Sequence, residues 1–270
     1  MVIEKGRPFF TTPCPDQLSK IVFKPSTVHE RGWLLLFNAC LSTTLSLMDM
    51  PDARLNRGVQ WNTWLLLDDA SIFLEPSEVS FQALILVATH SQDISTPSLC
   101  WTLVSQACQI AQSLALHLPT KKAPEGSETY AQRICVFWSL FILDKSLSLS
   151  FGRIPLLPGY LYKDVPPLDP VELSKYRPHK KSETHTPSQT SPSECFGSFY
   201  IMRSKALADI EGDIQDTFQR RGRSDKAEIA SLKTTLDLWM ESTRQVSSLF
   251  NLMMLNPVAN SFPTAVSTGI

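Results

Sequence analysis

The sequence has no excess of charge of either sign: 25 lysines and arginines stand against 26 aspartates and glutamates, a net charge of -1 over 270 residues. Without a global positive field, phosphate neutralisation gives the chain no pull toward nucleic acid, so DNA binding does not follow from charge. Only 19% of residues are charged while 43% are apolar, which excludes the composition of a disordered or coiled-coil chain. A chain of this length buries roughly 70–75% of its unfolded surface, so a sizeable core is expected. No two cysteines make a C-x2-C; the six, at 14, 40, 100, 108, 135 and 195, are widely spaced. Four of them (Cys40, Cys100, Cys108, Cys135) sit in apolar helical patterns, where a thiol acts as a small hydrophobe, which reads as a reducing, intracellular setting. No G-x-G, G-x-x-x-x-G-K-[ST] or G-x-S-x-G occurs, so phosphate cradles and hydrolase nucleophiles have no motif.

The longest apolar run, Ile134 to Leu143, is interrupted by Ser139 and falls short of the roughly 18–20 residues that cross hydrocarbon; a buried helix is expected and no membrane span. The first twenty residues lack the apolar stretch and cleavage site of a secretory signal. No alternating strand pattern appears either, and what remains is helical.

Thr27 with Glu30 makes a capping-box pattern before Trp33, Leu36, Phe37, Cys40 and Leu41, predicting a helix over about 27–50. Pro51 and Asp52 break it, and a second helical stretch over 53–74 carries Trp61, Trp64, Leu65 and Phe73. A third runs over about 76–90. A fourth starts with Thr96 as cap and Pro97 in its first turn, then repeats Leu99, Leu103, Ala107, Ile110, Leu114 and Leu118 until Pro119 ends it. The fifth, about 128–150, is apolar nearly all round between Ile134 and Leu143 and should be the most central, with Gly152 as its C-cap. Five prolines between 153 and 170 forbid regular structure and predict an ordered, extended strap. Glu172 to Glu194 is rich in Ser, Thr, Pro, Lys and His, the composition of a disordered linker. Helices over about 196–220 and 225–255 follow. The fold class is therefore all-α: packed antiparallel helices with a Pro-rich strap. The domain reading is an N-terminal extended segment (1–25), a helical core (26–170), a linker (171–195), C-terminal helices packing on the core (196–255) and a tail (256–270).

Two segments carry a family resemblance. SEVSFQALILVATHSQDISTPSLCWTLVSQACQIAQSLALHLP, residues 77–119, pairs a helix around Val79 to Leu86 with a second that begins near Trp101 and ends in Ala111 through His117. VFWSLFILDKSLSLSFGRIPLLPGYLYKDVPPL, residues 136–168, runs from Phe137 and Trp138 through Asp144 and Lys145 to Gly152, Arg153 and Pro155, then to Asp164 and Pro166. Together they resemble the middle homology region of fungal zinc binuclear cluster transcription factors. That resemblance implies an all-helical regulatory domain in the nucleus, control of metabolic genes (in fungi often secondary-metabolite clusters), and partners among other transcription proteins or a second copy. Members of that family normally carry six cysteines as a repeated C-x2-C-x6-C that holds two zinc ions. This sequence has no such cluster, so no cofactor and no specific DNA contact by this chain alone are expected. The physical expectation for the second segment is structural: Asp144 ion-paired with Arg153 or Lys145, tying the strap to the helix end.

Other constellations are weaker. Asp68-Asp69 suggests the aspartate-rich magnesium site of terpene-type enzymes, but position 72 is Ile and a second motif is missing, so a solvated helix face is expected. A helical small-molecule-binding protein or terpene-type enzyme is thus the competing reading. His90, His117, His179 and His185 are scattered, and the basic clusters Arg177 to Lys181 and Arg220 to Arg223 read as solvated.

Overall fold

The computed structural model describes residues 13–46, 52–94, 97–168, 196–219 and 225–255. Among them are helices and no strand. The helices are α1 (Pro15–Phe23), α2 (Gly32–Ser46), α3 (Ala53–Leu67), the single turn α4 (Ser71–Leu74), α5 (Glu78–Ile94), α6 (Pro97–Ser113), α7 (Glu128–Phe151), α8 (Phe196–Gln219) and α9 (Lys226–Leu255).

Local chemistry sets most boundaries. Pro97 opens α6. The Asp52 carboxylate accepts from the amides of Arg54 (2.8 Å) and Leu55 (3.2 Å) and so starts α3. Ser127 caps α7 by accepting from the Tyr130 amide at 3.1 Å. Gly152 closes that helix in the left-handed region (φ 62°), with the Arg153 amide reaching back to the Ser148 carbonyl at 2.8 Å.

The helices stack in a row: α3 on α2, α2 on α5, α5 on α6, α6 on α7, α7 on α8 and α8 on α9. Phe81, Leu84, Leu103, Ile110, Phe137, Leu140 and Phe141 fill the continuous core. By length and composition α7 would cross a bilayer, yet 61% of its most apolar window is buried inside the protein. It is a core helix, as its all-round apolar sequence requires. Where α2 meets α5 the approach is closest at Gly32: a Cβ there would lie 2.6 Å from Ser80 Oγ and 2.8 Å from Ser80 N. Since backbone atoms cannot step aside, Gly32→Ala is expected to cost about 1–3 kcal/mol, seen as a lower urea midpoint at unchanged m value.

Four sequence expectations differ from the structure. The segment expected to be extended over 1–25 contains α1, which Pro15 and Asp16 start in its first turn. The Thr27 to Glu30 capping box is not used. Thr27 lies in a 3₁₀ turn (Pro25–Thr27), its hydroxyl donates to the Lys24 carbonyl at 2.8 Å, and α2 begins only at Gly32. The stretch 53–74 is broken, because Asp69 accepts from the amide (3.0 Å) and hydroxyl (2.7 Å) of Ser71 and restarts the chain as α4. Asp69 also pairs with Arg31 at 3.6 Å, and hydrogen bonds from Ser71 hold its carboxyl below the usual range, so this pair is a helix junction and not a solvated helix face. Finally α6 stops at Ser113, well before Pro119. Ala115 takes φ 46° and the Leu116 amide reaches back to the Ala111 carbonyl, turning Leu116 into the core while Leu118 stays half exposed. The expected linker and tail lie outside the described residues, as does the basic cluster Arg220 to Arg223.

Candidate functional site

The residues of the second motif converge at the C-terminal half of α7, where the strap of residues 153–168 crosses it. Asp144 and Lys145 sit next to each other in the last turns of a helix that is apolar on every side, so both are fully buried: 0% and 2% exposed. Charges in such a place need partners that stay put. Asp144 Oδ1 accepts from the Leu156 amide and Oδ2 from the Leu157 amide, each at 2.9 Å. Lys145 Nζ donates to the Leu157 carbonyl at 2.7 Å and lies 5.0 Å from the centre of the Phe141 ring. Neighbouring side chains thus hold Leu157 by both its amide and its carbonyl. Burial raises the Asp144 pKa, against the pull of the two amides and Lys145, and burial lowers that of Lys145, against the pull of Asp144.

This corrects the expected ion pair. Asp144 is bonded to strap amides, and the Arg153 guanidinium instead lies over the Trp101 ring of α6 at 5.1 Å. The Arg153 carbonyl accepts from Gln215 of α8 at 3.3 Å. Pro155 is a buried residue of the strap, which passes on to Pro166, whose carbonyl accepts from Trp138 Nε1 at 2.8 Å. Trp138 packs edge-on against Phe137 and Phe141, with the Lys205 ammonium of α8 4.5 Å from its ring centre. His117, from the turn after α6, packs at a tilt against Phe137 (5.7 Å between ring centres) and meets Tyr162 edge-on (5.2 Å). Its pKa is lowered by burial and by Arg133, which keeps the ring neutral above the lowered value. Asp164 is exposed and forms no hydrogen bond among the described residues.

The structure therefore brings Trp101, His117, Phe137, Trp138, Asp144, Lys145, Gly152, Arg153, Pro155 and Pro166 into one unit and leaves Asp164 at its edge. Sequence reasoning did not find Tyr162, Gln112, Gln215 or Gly212. Gln112 Nε2 bridges the Leu156 carbonyl (3.3 Å) and the Tyr162 hydroxyl (3.4 Å). Gly212 lets α8 approach until a Cβ would stand 3.3 Å from Lys145 Cε. Close approach between elements distant in sequence leaves no local signal. Among the described residues no group of three or more His, Cys, Asp or Glu side chains is placed to hold a metal ion.

Asp144, Lys145 and Trp138 are committed to strap backbone, so this unit is a clamp that fixes strap, α6, α7 and α8 together. The fold thus defines an all-helical domain closed by this clamp. The chain belongs to the fungal specific transcription factor domain family, whose model matches residues 21–254. It is 25% identical over 251 residues to a transcriptional regulator of Claviceps purpurea (strain 20.1), covering 91% of this chain and 38% of that protein. Two transcriptional regulatory proteins of Schizosaccharomyces pombe are 34% identical over 126 residues and 29% over 127, which is 46% and 47% of this chain and 19% and 21% of theirs. The chain thus spans less than two fifths of the length of the relatives it matches. No solved structure matches it significantly. The family is described as a transcription factor domain, and the relatives are described as transcriptional regulators.

Proposed function

We propose that this chain is the regulatory region of a nuclear transcription regulator that works through protein contacts and does not itself catalyse a reaction or read a DNA sequence. The observation that supports it most is the family match over residues 21–254. The sequence adds that the six-cysteine zinc cluster is not among these 270 residues, so specific DNA contact would have to come from elsewhere. The clamp supports a non-catalytic reading, because Asp144 and Lys145, the buried charges of the signature, are occupied by the strap backbone. Asp69, the carboxylate of the competing enzyme reading, is held by Ser71 and Arg31. The genes controlled are metabolic, a secondary-metabolite cluster being the setting the family suggests. Partners are other transcription proteins or a second copy of the chain.

Fusing the chain to a heterologous DNA-binding module and assaying a reporter tests this, alongside genome-wide expression after deletion of the gene. A reporter response from the fusion, with a coherent set of metabolic transcripts shifting on deletion, is expected. An inert fusion together with an unchanged transcriptome would refute the reading.

A further inference from the structure

Helices α1, α2 and α3 enclose an open groove of about 780 Å³ at the end of the helix row away from the clamp. Its walls are apolar, formed by Ile21 of α1, Leu34, Phe37 and Leu41 of α2, and Val59 and Leu66 of α3. That volume lies within the range of roughly 300–1,000 Å³ typical of small-molecule sites.

One polar side chain is set into this wall. Asn38, on α2, is 9% exposed. Its Nδ2 donates to the Leu34 carbonyl one turn back at 2.8 Å, which fixes the amide's orientation, since a carbonyl can only accept. Oδ1 then has no hydrogen-bond partner among the described residues, and the side chain lines the groove. That oxygen is open to the groove, where an acceptor flanked by apolar walls is available to a donor that enters.

A second observation comes from the facing helix. Gly58 lies in the middle of α3 and lines the groove, and a Cβ built on it meets nothing within 4 Å. Its backbone is ordinary helix, so neither conformation nor packing calls for glycine there, and glycine weakens a helix interior relative to alanine. Its effect at this place is an open mouth. Arg54 and Asn62, both exposed, stand at the rim, so the outer end of the groove is wet and polar.

We propose that this groove is a binding site for an apolar small molecule carrying a hydroxyl or N–H donor. The donor meets Asn38 Oδ1 and the apolar body lies against Phe37, Val59 and Leu66. The site is separate from the clamp, and the proposal holds whatever the chain regulates.

The test is calorimetric titration of the full chain with 1-naphthol and with 1-methoxynaphthalene, which has the same ring system and no donor. Saturable one-to-one binding is expected, with 1-naphthol about 10-fold tighter, the net worth of one added hydrogen bond. Asn38→Ala should bring the two probes to within about twofold of each other, because only the acceptor distinguishes them. Gly58→Phe should abolish binding of both while its thermal midpoint stays at or above that of the unaltered chain, since a helix-interior glycine has been removed. Equal binding of the two probes to the unaltered chain, binding that does not saturate, or undiminished binding to Gly58→Phe overturns the proposal. So does a concentration-dependent dimer from which the probes are excluded, which would assign the groove to a second copy.

Discussion

Truncating Trp138 to Ala is expected to lower the unfolding free energy by roughly 3–5 kcal/mol, a large part of the roughly 5–15 kcal/mol that holds a typical domain together. The side chain is 3% exposed and sits where α7, α8 and the strap meet. Three separate contacts end at once. The edge-on packing against Phe137 and Phe141, at 5.4 and 5.1 Å between ring centres, becomes a void. The Pro166 carbonyl loses the donor that anchors the far end of the strap, and Lys205 loses the ring beneath it. Trp138→Phe separates these terms, since it keeps most of the apolar volume and removes the donor; about 1–2 kcal/mol is expected. Urea denaturation of the three chains gives the values, and an unchanged midpoint for Trp138→Ala would remove this residue from the packing centre.

Asp144→Ala is expected to cost about 3–5 kcal/mol for an electrostatic reason, with little cavity involved. Two strap amides lose their acceptors inside the protein, and the buried Lys145 loses the carboxylate beside it. Asp144→Asn is not a mild substitute. Its amide oxygen serves one of the Leu156 and Leu157 N–H groups and its NH₂ confronts the other, so about 2 kcal/mol or more is lost. Native-state hydrogen exchange distinguishes this from general destabilisation. In Asp144→Asn the Leu156 and Leu157 amides should lose more protection than the interior of α5, whereas in Gly32→Ala they should not. Uniform loss across the chain would mean that Asp144 does not hold the strap.

Both predictions fall on residues that the sequence marks, though for different reasons. The apolar helix around Trp138 is legible because hydrophobicity on every side has one stable outcome in water, burial at the centre of a bundle. Gly152 is legible as a cap because only glycine takes the left-handed turn without cost. Asp144 and Lys145 stand out as charges at the end of that helix. Their partners do not, because spacing along the chain says which side chains share a helix end and nothing about the path of a strap stiffened by prolines. Oppositely charged neighbours suggest an ion pair, yet a carboxylate has room for several donors, and two backbone amides in the right place give each oxygen one.

The groove at α1, α2 and α3 was beyond the reach of sequence for a related reason. Neither Asn38 nor Gly58 belongs to a motif in the sequence. That the two face one cavity depends on where α1 docks. That helix is nine residues long, marked only by Pro15 and Asp16, and stable only through the surface it covers.

By itself, then, the sequence determined the all-α class, the position of most helices, the central helix and the segment that would clasp it. Each of these follows from periodicity, caps and prolines, interactions that span a few residues. The tertiary structure alone decided that the strap is gripped by its backbone, that Gly212 and Gln215 of α8 complete the clamp, and that Asn38 opens into a groove, since each brings together atoms distant along the chain whose approach only the packed helices fix.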